Sequence, residues 1–170
     1  MKNVFLVCLF AFISACALIE KRVEVHWPTH ISYMEGEGDL DLSWKKEKYS
    51  GSFSLKMAYP DLLLLEVYGP FGQTVLYVKK EPNQFLFIAG EEKTADESVF
   101  EEAYGFKVRQ LIDDLAMEGQ KDETTAGVVI RRQDYQVIYS QDRRNNRKIC
   151  WDGKDGRICL TFTEISFDRQ

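Results

Sequence analysis

His26 and His30 stand four residues apart, a spacing that suits a metal ion only on a helix, and Pro28 between them works against one. No Cys or carboxylate completes a set of ligands there, so no metal is expected. Glu35, Glu37, Asp39 and Asp41 alternate along the chain. Strand periodicity puts them on one side as a solvated face rather than as an acid–base pair. Cys150 and Cys159 flank WDGKDGRI, a hairpin-like stretch with two Asp-Gly pairs. With the turn centred on Lys154 and Asp155 the two thiols face each other, and a disulfide there would contribute about 2.5–3 kcal/mol. The alternative is a pair of buried free thiols. Arg143-Arg144-Asn145-Asn146-Arg147-Lys148 is the one basic run in a chain of net charge −5. It reads as a solvated loop or as a contact for anionic lipid or for an acidic partner. The sequence holds no nucleophile motif and no phosphate-binding loop, so neither catalysis nor a cofactor is expected. The negative balance argues against a general nucleic-acid binder.

The last residue of this kind is apolar. In YGPFGQTV, residues 68–75, Gly69-Pro70-Phe71-Gly72 has the composition of a type I turn, with Pro at the second position and Gly at the fourth. Phe71 then stands at the tip of a turn between two strand-like segments. Exposing a Phe forgoes roughly 1.5–3 kcal/mol of burial free energy. Either Phe71 folds back onto its own core or it meets something outside the molecule.

The elements that must position these residues are mostly strands. Residues 39–44 alternate strictly, as do residues 51–59, with Phe53, Leu55, Met57 and Tyr59 on one face. Residues 62–68 are almost wholly apolar, and 74–78 and 84–88 follow as strands. The period then changes. Thr94 and Glu97 have capping-box spacing, which predicts a short helix to Tyr104 closed by Gly105. Val108, Leu111, Ile112 and Leu115 sit at helical spacing, and Gly119 is expected to end that segment. Residues 127–132, 135–140, 148–151 and 157–162 return to strands. This predicts a mainly β protein, a run of antiparallel strands interrupted once by a helical pair; a strongly curved sheet capped by a small helical lid would enclose an apolar cavity.

The beginning of the chain has a different character. Lys2 precedes an apolar run from Val4 to Ile13, too short to span a bilayer comfortably, and then come Ser14, Ala15 and Cys16. Ile13-Ser14-Ala15-Cys16 resembles the lipobox of bacterial lipoproteins. The resemblance implies removal of residues 1–15, lipid on Cys16, and stable attachment to a membrane. Ala17 after the Cys is similar to the outer-membrane sorting pattern, which places the chain on the periplasmic side of that membrane. Residues 16–34 then read as a lipidated tether or loosely docked segment, and 35–170 as one domain.

The stretch LEVYGPFGQTVLYV, followed by KTADESVFEEAYG and VRQLIDDLAMEG, resembles the LolB family of outer-membrane lipoprotein receptors over residues 64–119. The resemblance implies an unclosed antiparallel barrel whose apolar cavity holds acyl chains. It implies a projecting loop, Pro70, Phe71 and Gly72, needed for membrane insertion. Its partners would be the acyl chains of lipoproteins, a LolA-like periplasmic carrier and the outer membrane, met as a monomer. The cavity candidates are Phe53, Leu55, Met57, Leu63, Leu65, Val67, Val75, Tyr77, Phe85 and Phe87; the bland alternative is that each is simply core. The lid candidates are Val99, Phe100, Leu111, Ile112 and Leu115. Three functions remain open at this point: a lipoprotein receptor, a carrier of free lipid with the same fold, or a structural envelope lipoprotein without ligand.

Overall fold

The computed structural model describes residues 26–45, 47–105, 107–125 and 127–167; the segment carrying Cys8 and Cys16 lies outside them. The strands are β1 (Tyr33–Trp44), β2 (Glu47–Ala58), β3 (Leu62–Tyr68), β4 (Thr74–Glu81), β5 (Gln84–Ala89), β6 (Glu92–Thr94), β7 (Lys121–Thr124), β8 (Gly127–Arg131), β9 (Tyr135–Gln141), β10 (Arg147–Gly153) and β11 (Gly156–Ser166). Between β6 and β7 lie two helices, α1 (Glu97–Tyr104) and α2 (Val108–Leu115). All eleven strands form one antiparallel sheet in the order β6-β5-β4-β3-β2-β1-β11-β10-β9-β8-β7. The molecule is thus two meanders zipped together along β1 and β11. The sheet is curved and unclosed: β6 and β7 are its edges, and the helical pair is the connection between them.

Alternation explains which face is inside. Along β1, Leu40 and Trp44 are buried while Glu35, Glu37, Asp39 and Asp41 face solvent. On β3, Leu63 and Val67 are buried and Leu62, Leu64 and Glu66 take the outer side. Phe53 and Phe162 meet edge to face, with ring centroids 5.1 Å apart. They stand over Gly36 and Gly38 of β1. A Cβ on Gly38 would lie 2.0 Å from the Thr161 carbonyl oxygen, so only glycine fits there.

Several local features differ from expectation. Asp96, not Thr94, caps α1: its carboxylate accepts from the Ser98 amide at 3.0 Å. Thr94 is held in the ladder opposite Phe87, and its hydroxyl accepts from the Asp96 amide at 3.0 Å. Gly105 closes α1 in the left-handed region as expected, with φ 76°. For α2 the stop comes two residues before Gly119. Met117 takes φ 60°, its amide donates to Asp114 O and that of Glu118 to Asp113 O, the bonding of a Schellman closure with a buried Met where Gly is usual. Of the segment read as tether or loosely docked, residues 26–32 are docked. The Trp27 indole donates to Ser140 O at 3.2 Å, and the amide of buried Ile31 donates to Ala116 O at 3.0 Å. Cys150 and Cys159 are directly opposite in the β10–β11 ladder and are joined by a disulfide.

Candidate functional site

The concave face of the sheet and the two helices enclose a cavity of about 430 Å³. Its wall is Leu40, Leu42 and Trp44 of β1, Tyr49 and Leu55 of β2, Leu65 and Val67 of β3, Val75 and Leu76 of β4, and Ala89 of β5. Trp151, Ile158 and Leu160 close the other side, and Phe100, Ala103, Tyr104, Leu111 and Leu115 form the roof. Lys45 and Glu47, at the β1–β2 turn, are the charged residues of the lining. Burial alone pushes the Tyr104 hydroxyl up to about 12, so it stays protonated. The cavity therefore offers an almost uncharged concave surface, of a size suited to a small apolar ligand.

Of the ten residues expected in the cavity, Leu55, Leu65, Val67 and Val75 line it. Phe53, Met57, Leu63, Phe85 and Phe87 face the same side but are packed within the core around it. Tyr77 is a correction. A bulge in the β3–β4 ladder pairs Val67 with Leu76 but Tyr68 with Thr74, leaving Val75 as the extra residue. Parity therefore switches after Val75. Leu76 and Val78 turn inward, and Tyr77, opposite Glu66 and Ile88, points outward. Among the lid candidates Phe100, Leu111 and Leu115 meet the cavity, Ile112 is core, and Val99 packs at its margin. The contributions of β1, β10 and β11 went unpredicted. Leu40, Leu42 and Trp44 had the alternation to reveal them; that Trp151, Ile158 and Leu160 join them depends on long-range pairing.

The two lid helices are held very differently. Asp114 of α2 is wholly buried. Its Oδ1 accepts from Arg132 Nε at 2.8 Å and Nη2 at 2.6 Å, and its Oδ2 from the Tyr135 hydroxyl at 2.7 Å and Trp151 Nε1 at 3.0 Å. The Tyr139 hydroxyl donates to the Asp114 carbonyl. Burial pushes the Asp114 carboxyl up, and its donors oppose that rise. Burial also works against the charge of Arg132, but the facing carboxylate outweighs it. Removing one partner of such a pair costs about 3–5 kcal/mol, so α2 is fixed to β9 and β10. At its other end Arg109 donates to Pro60 O at 3.0 Å and pairs with Asp61 at 3.2 Å. By contrast α1 rests on Phe100 and Tyr104 against Phe87, on a Lys80–Glu97 pair at 2.5 Å, and on long contacts from Lys45 Nζ to its last carbonyls at 3.4 and 3.5 Å. Among the described residues α1 has no buried ion pair comparable to that of Asp114 with Arg132. Asp114 carried a readable signal: it lies three residues after Leu111, on the face α2 buries.

Phe71 is 93% exposed. The turn that carries it is closed by the Gly72 amide donating to Gly69 O at 3.0 Å and the Gly69 amide donating to Gln73 O at 2.8 Å. Gln73 Oε1 accepts from the Phe71 amide at 3.2 Å. Phe71 does not fold back onto the core; a locked backbone holds it in water. His30 pairs with Glu118 at 2.6 Å and its ring meets Tyr59, while His26 is exposed. No group of three possible metal ligands gathers among the described residues.

Compared with known proteins, the chain matches no family model and no curated sequence.

Proposed function

We propose that this chain is a lipid-anchored receptor on the periplasmic side of the outer membrane. It accepts lipoproteins from a soluble, LolA-like periplasmic carrier and inserts them into the membrane. The observation that carries this reading is Phe71, the one large hydrophobic side chain left exposed among the described residues, on a turn whose every bond keeps it there. A protein that only stores a ligand has no use for such a wedge; one that hands acyl chains across an interface does. The cavity of about 430 Å³ supplies the dry surface for the chains in transit, and α1 supplies a roof that can give way. Handing over a ligand needs no catalytic group.

A transfer assay tests it. A purified carrier loaded with labelled lipoprotein is mixed with the protein anchored in liposomes through Cys16. The wild type should move the label into the bilayer. Phe71→Glu should leave the fold and the uptake of label unchanged while insertion stops. No transfer by a folded wild-type sample would sink the receptor reading.

The second reading, a carrier of free lipid, is favoured by Lys45 and Glu47 in the cavity lining, which would suit an amphiphile with a polar head. In that case a fluorescent fatty acid binds and Phe71→Glu changes nothing.

A further inference from the structure

The cavity and Phe71 leave the basic run of the sequence unused. Arg143 and Arg144 form the tip of the β9–β10 hairpin and are exposed. Arg147 lies behind them, its guanidinium over the rings of Phe167 at 5.0 Å and Trp27 at 5.9 Å, with Nη2 3.5 Å from His26 O. Among the described residues no ion pair within 4 Å joins Arg143, Arg144 or Arg147 to a carboxylate. Asp142, in the same hairpin, bonds the turn itself, Oδ1 accepting from the amides of Arg144 at 2.7 Å and Asn146 at 2.9 Å, and its charge also faces Arg144, so the three arginines stand against one carboxylate. Three positive charges are thus gathered at one end of a chain whose net charge is −5.

The path of the backbone adds a second argument. The described chain begins at His26, and the His26 carbonyl is in contact with Arg147. His26 is ten residues along the chain from Cys16, a reach of at most about 36 Å. A lipid carried on Cys16 would therefore lie within that distance of His26. The Phe71 tip leaves the sheet from the opposite strand ends, because β3 and β10 both run parallel to β1 and the one tip follows β3 while the other precedes β10, so the two tips do not meet one membrane at once and a chain docked by its basic tip is not in the state that inserts cargo.

We infer that Arg143 and Arg144, with Arg147 behind them, form a docking surface for the anionic phospholipid headgroups of a membrane. The aromatic pair Trp27 and Phe167 beneath Arg147 is the kind of side chain that tolerates the boundary between headgroup and water. The geometric half of the argument rests on the membrane-anchored reading above; the charge half does not, and neither depends on cargo transfer.

The test separates the two. Every described strand and helix lies within residues 26–167, so the chain 16–170 carrying Cys16→Ser keeps the fold without the lipid. It is sedimented with phosphatidylcholine vesicles and with vesicles in which a third of the lipid is phosphatidylglycerol. Binding is expected to the anionic vesicles only, and to weaken as salt is added. Arg143→Ala with Arg144→Ala should weaken it about thirty-fold, the worth of two basic contacts at an anionic surface. Lys48→Ala with Lys154→Ala, the same change of charge at exposed positions elsewhere, should change it less than two-fold. Equal losses from the two double variants would mean net charge alone and overturn the inference. So would a parent chain that ignores anionic vesicles, including one that instead binds only an acidic protein. Because no carrier or cargo is present, failure of the transfer assay leaves this result standing, and the reverse holds too.

Discussion

At the β3–β4 tip the amide of Gly72 donates to Gly69 O at 3.0 Å, the amide of Gly69 donates to Gln73 O at 2.8 Å, and Gly72 has φ 77°. At the β9–β10 tip the amide of Asn145 donates to Asp142 O at 3.1 Å, the amide of Asp142 donates to Asn146 O at 2.9 Å, and Asn145 has φ 64°. These are the same three-residue hairpin loop, a turn followed by a left-handed residue. Even the support is alike: a side-chain oxygen accepts from the amide of the middle residue of each loop, Gln73 for Phe71 and Asp142 for Arg144. What differs is the pair of side chains presented, Pro70-Phe71 in one and Arg143-Arg144 in the other. The backbone problem is solved the same way twice, so the residues at the tip are free to be chosen for what lies outside. One tip suits the interior of a bilayer or an acyl chain, the other its charged surface.

An exchange of tips would break the comparison most directly. With Arg143→Pro and Arg144→Phe the second hairpin takes the chemistry of the first, while Pro70→Arg and Phe71→Arg do the reverse. If the loops are equivalent, each exchanged chain melts within a few degrees of the wild type. The apolar second tip should lose its preference for anionic vesicles, about thirty-fold by the same contact arithmetic. The basic first tip should lose insertion of cargo. A chain that unfolds on either exchange would show that the tips differ in more than side-chain chemistry.

A smaller effect probes the supports. Asp142 accepts from two amides as a carboxylate, and Gln73 accepts from one as an amide oxygen. Hydrogen bonds to a charged acceptor are the stronger class, so Asp142→Ala should cost about 1–2 kcal/mol and Gln73→Ala about 0.5–1 kcal/mol in denaturant unfolding. Equal costs would mean that the charge on Asp142 contributes nothing to its tip.

How much of this was legible in the sequence follows from the range of each determinant. The Phe71 turn is specified by four adjacent residues and was readable; so were the facing cysteines, because two Asp-Gly pairs fix the turn between them. The curved sheet with its helical interruption followed from periodicity. The edge strands did not: β6 is Glu-Lys-Thr and β7 is Lys-Asp-Glu-Thr, and the charge that protects a sheet edge also hides it from a search for apolar alternation. Tyr77 was misplaced because the bulge at Val75 arises from how the β3–β4 loop sets the register, which alternation within β4 cannot report. The Asp114 network joins a helix to β9, β10 and the β8–β9 turn, 18 to 37 residues away in sequence, and only the fold brings its donors together. The cavity wall fails in part for the same reason, since Trp151, Ile158 and Leu160 reach it only through the pairing of β11 with β1 and β10.

The smallest effect expected is also the one that separates the tips most cleanly. Asp142 titrates and nothing in the Phe71 loop does. Burial works to raise the Asp142 carboxyl, but the amides of Asn146 and Arg144 outweigh it and hold it below the ordinary aspartate value of 3.8. A carboxyl whose folded value lies below its unfolded one stabilises the fold above the ordinary value. That contribution is lost as the pH falls through the lowered folded value. The Arg143-Arg144 tip should therefore be intact at neutral pH and loosen only in acid more extreme than an ordinary aspartate requires. In an acid titration followed by amide NMR, the Arg144 and Asn146 signals should move together with a single midpoint under 3.8, while those of Phe71 and Gly72 stay in place. A midpoint at or above 3.8 would mean that the carboxylate is not holding those amides in solution. The basic tip would then owe its shape to Asn145 and its backbone bonds alone, as the Phe71 tip owes much of its own to Gly72.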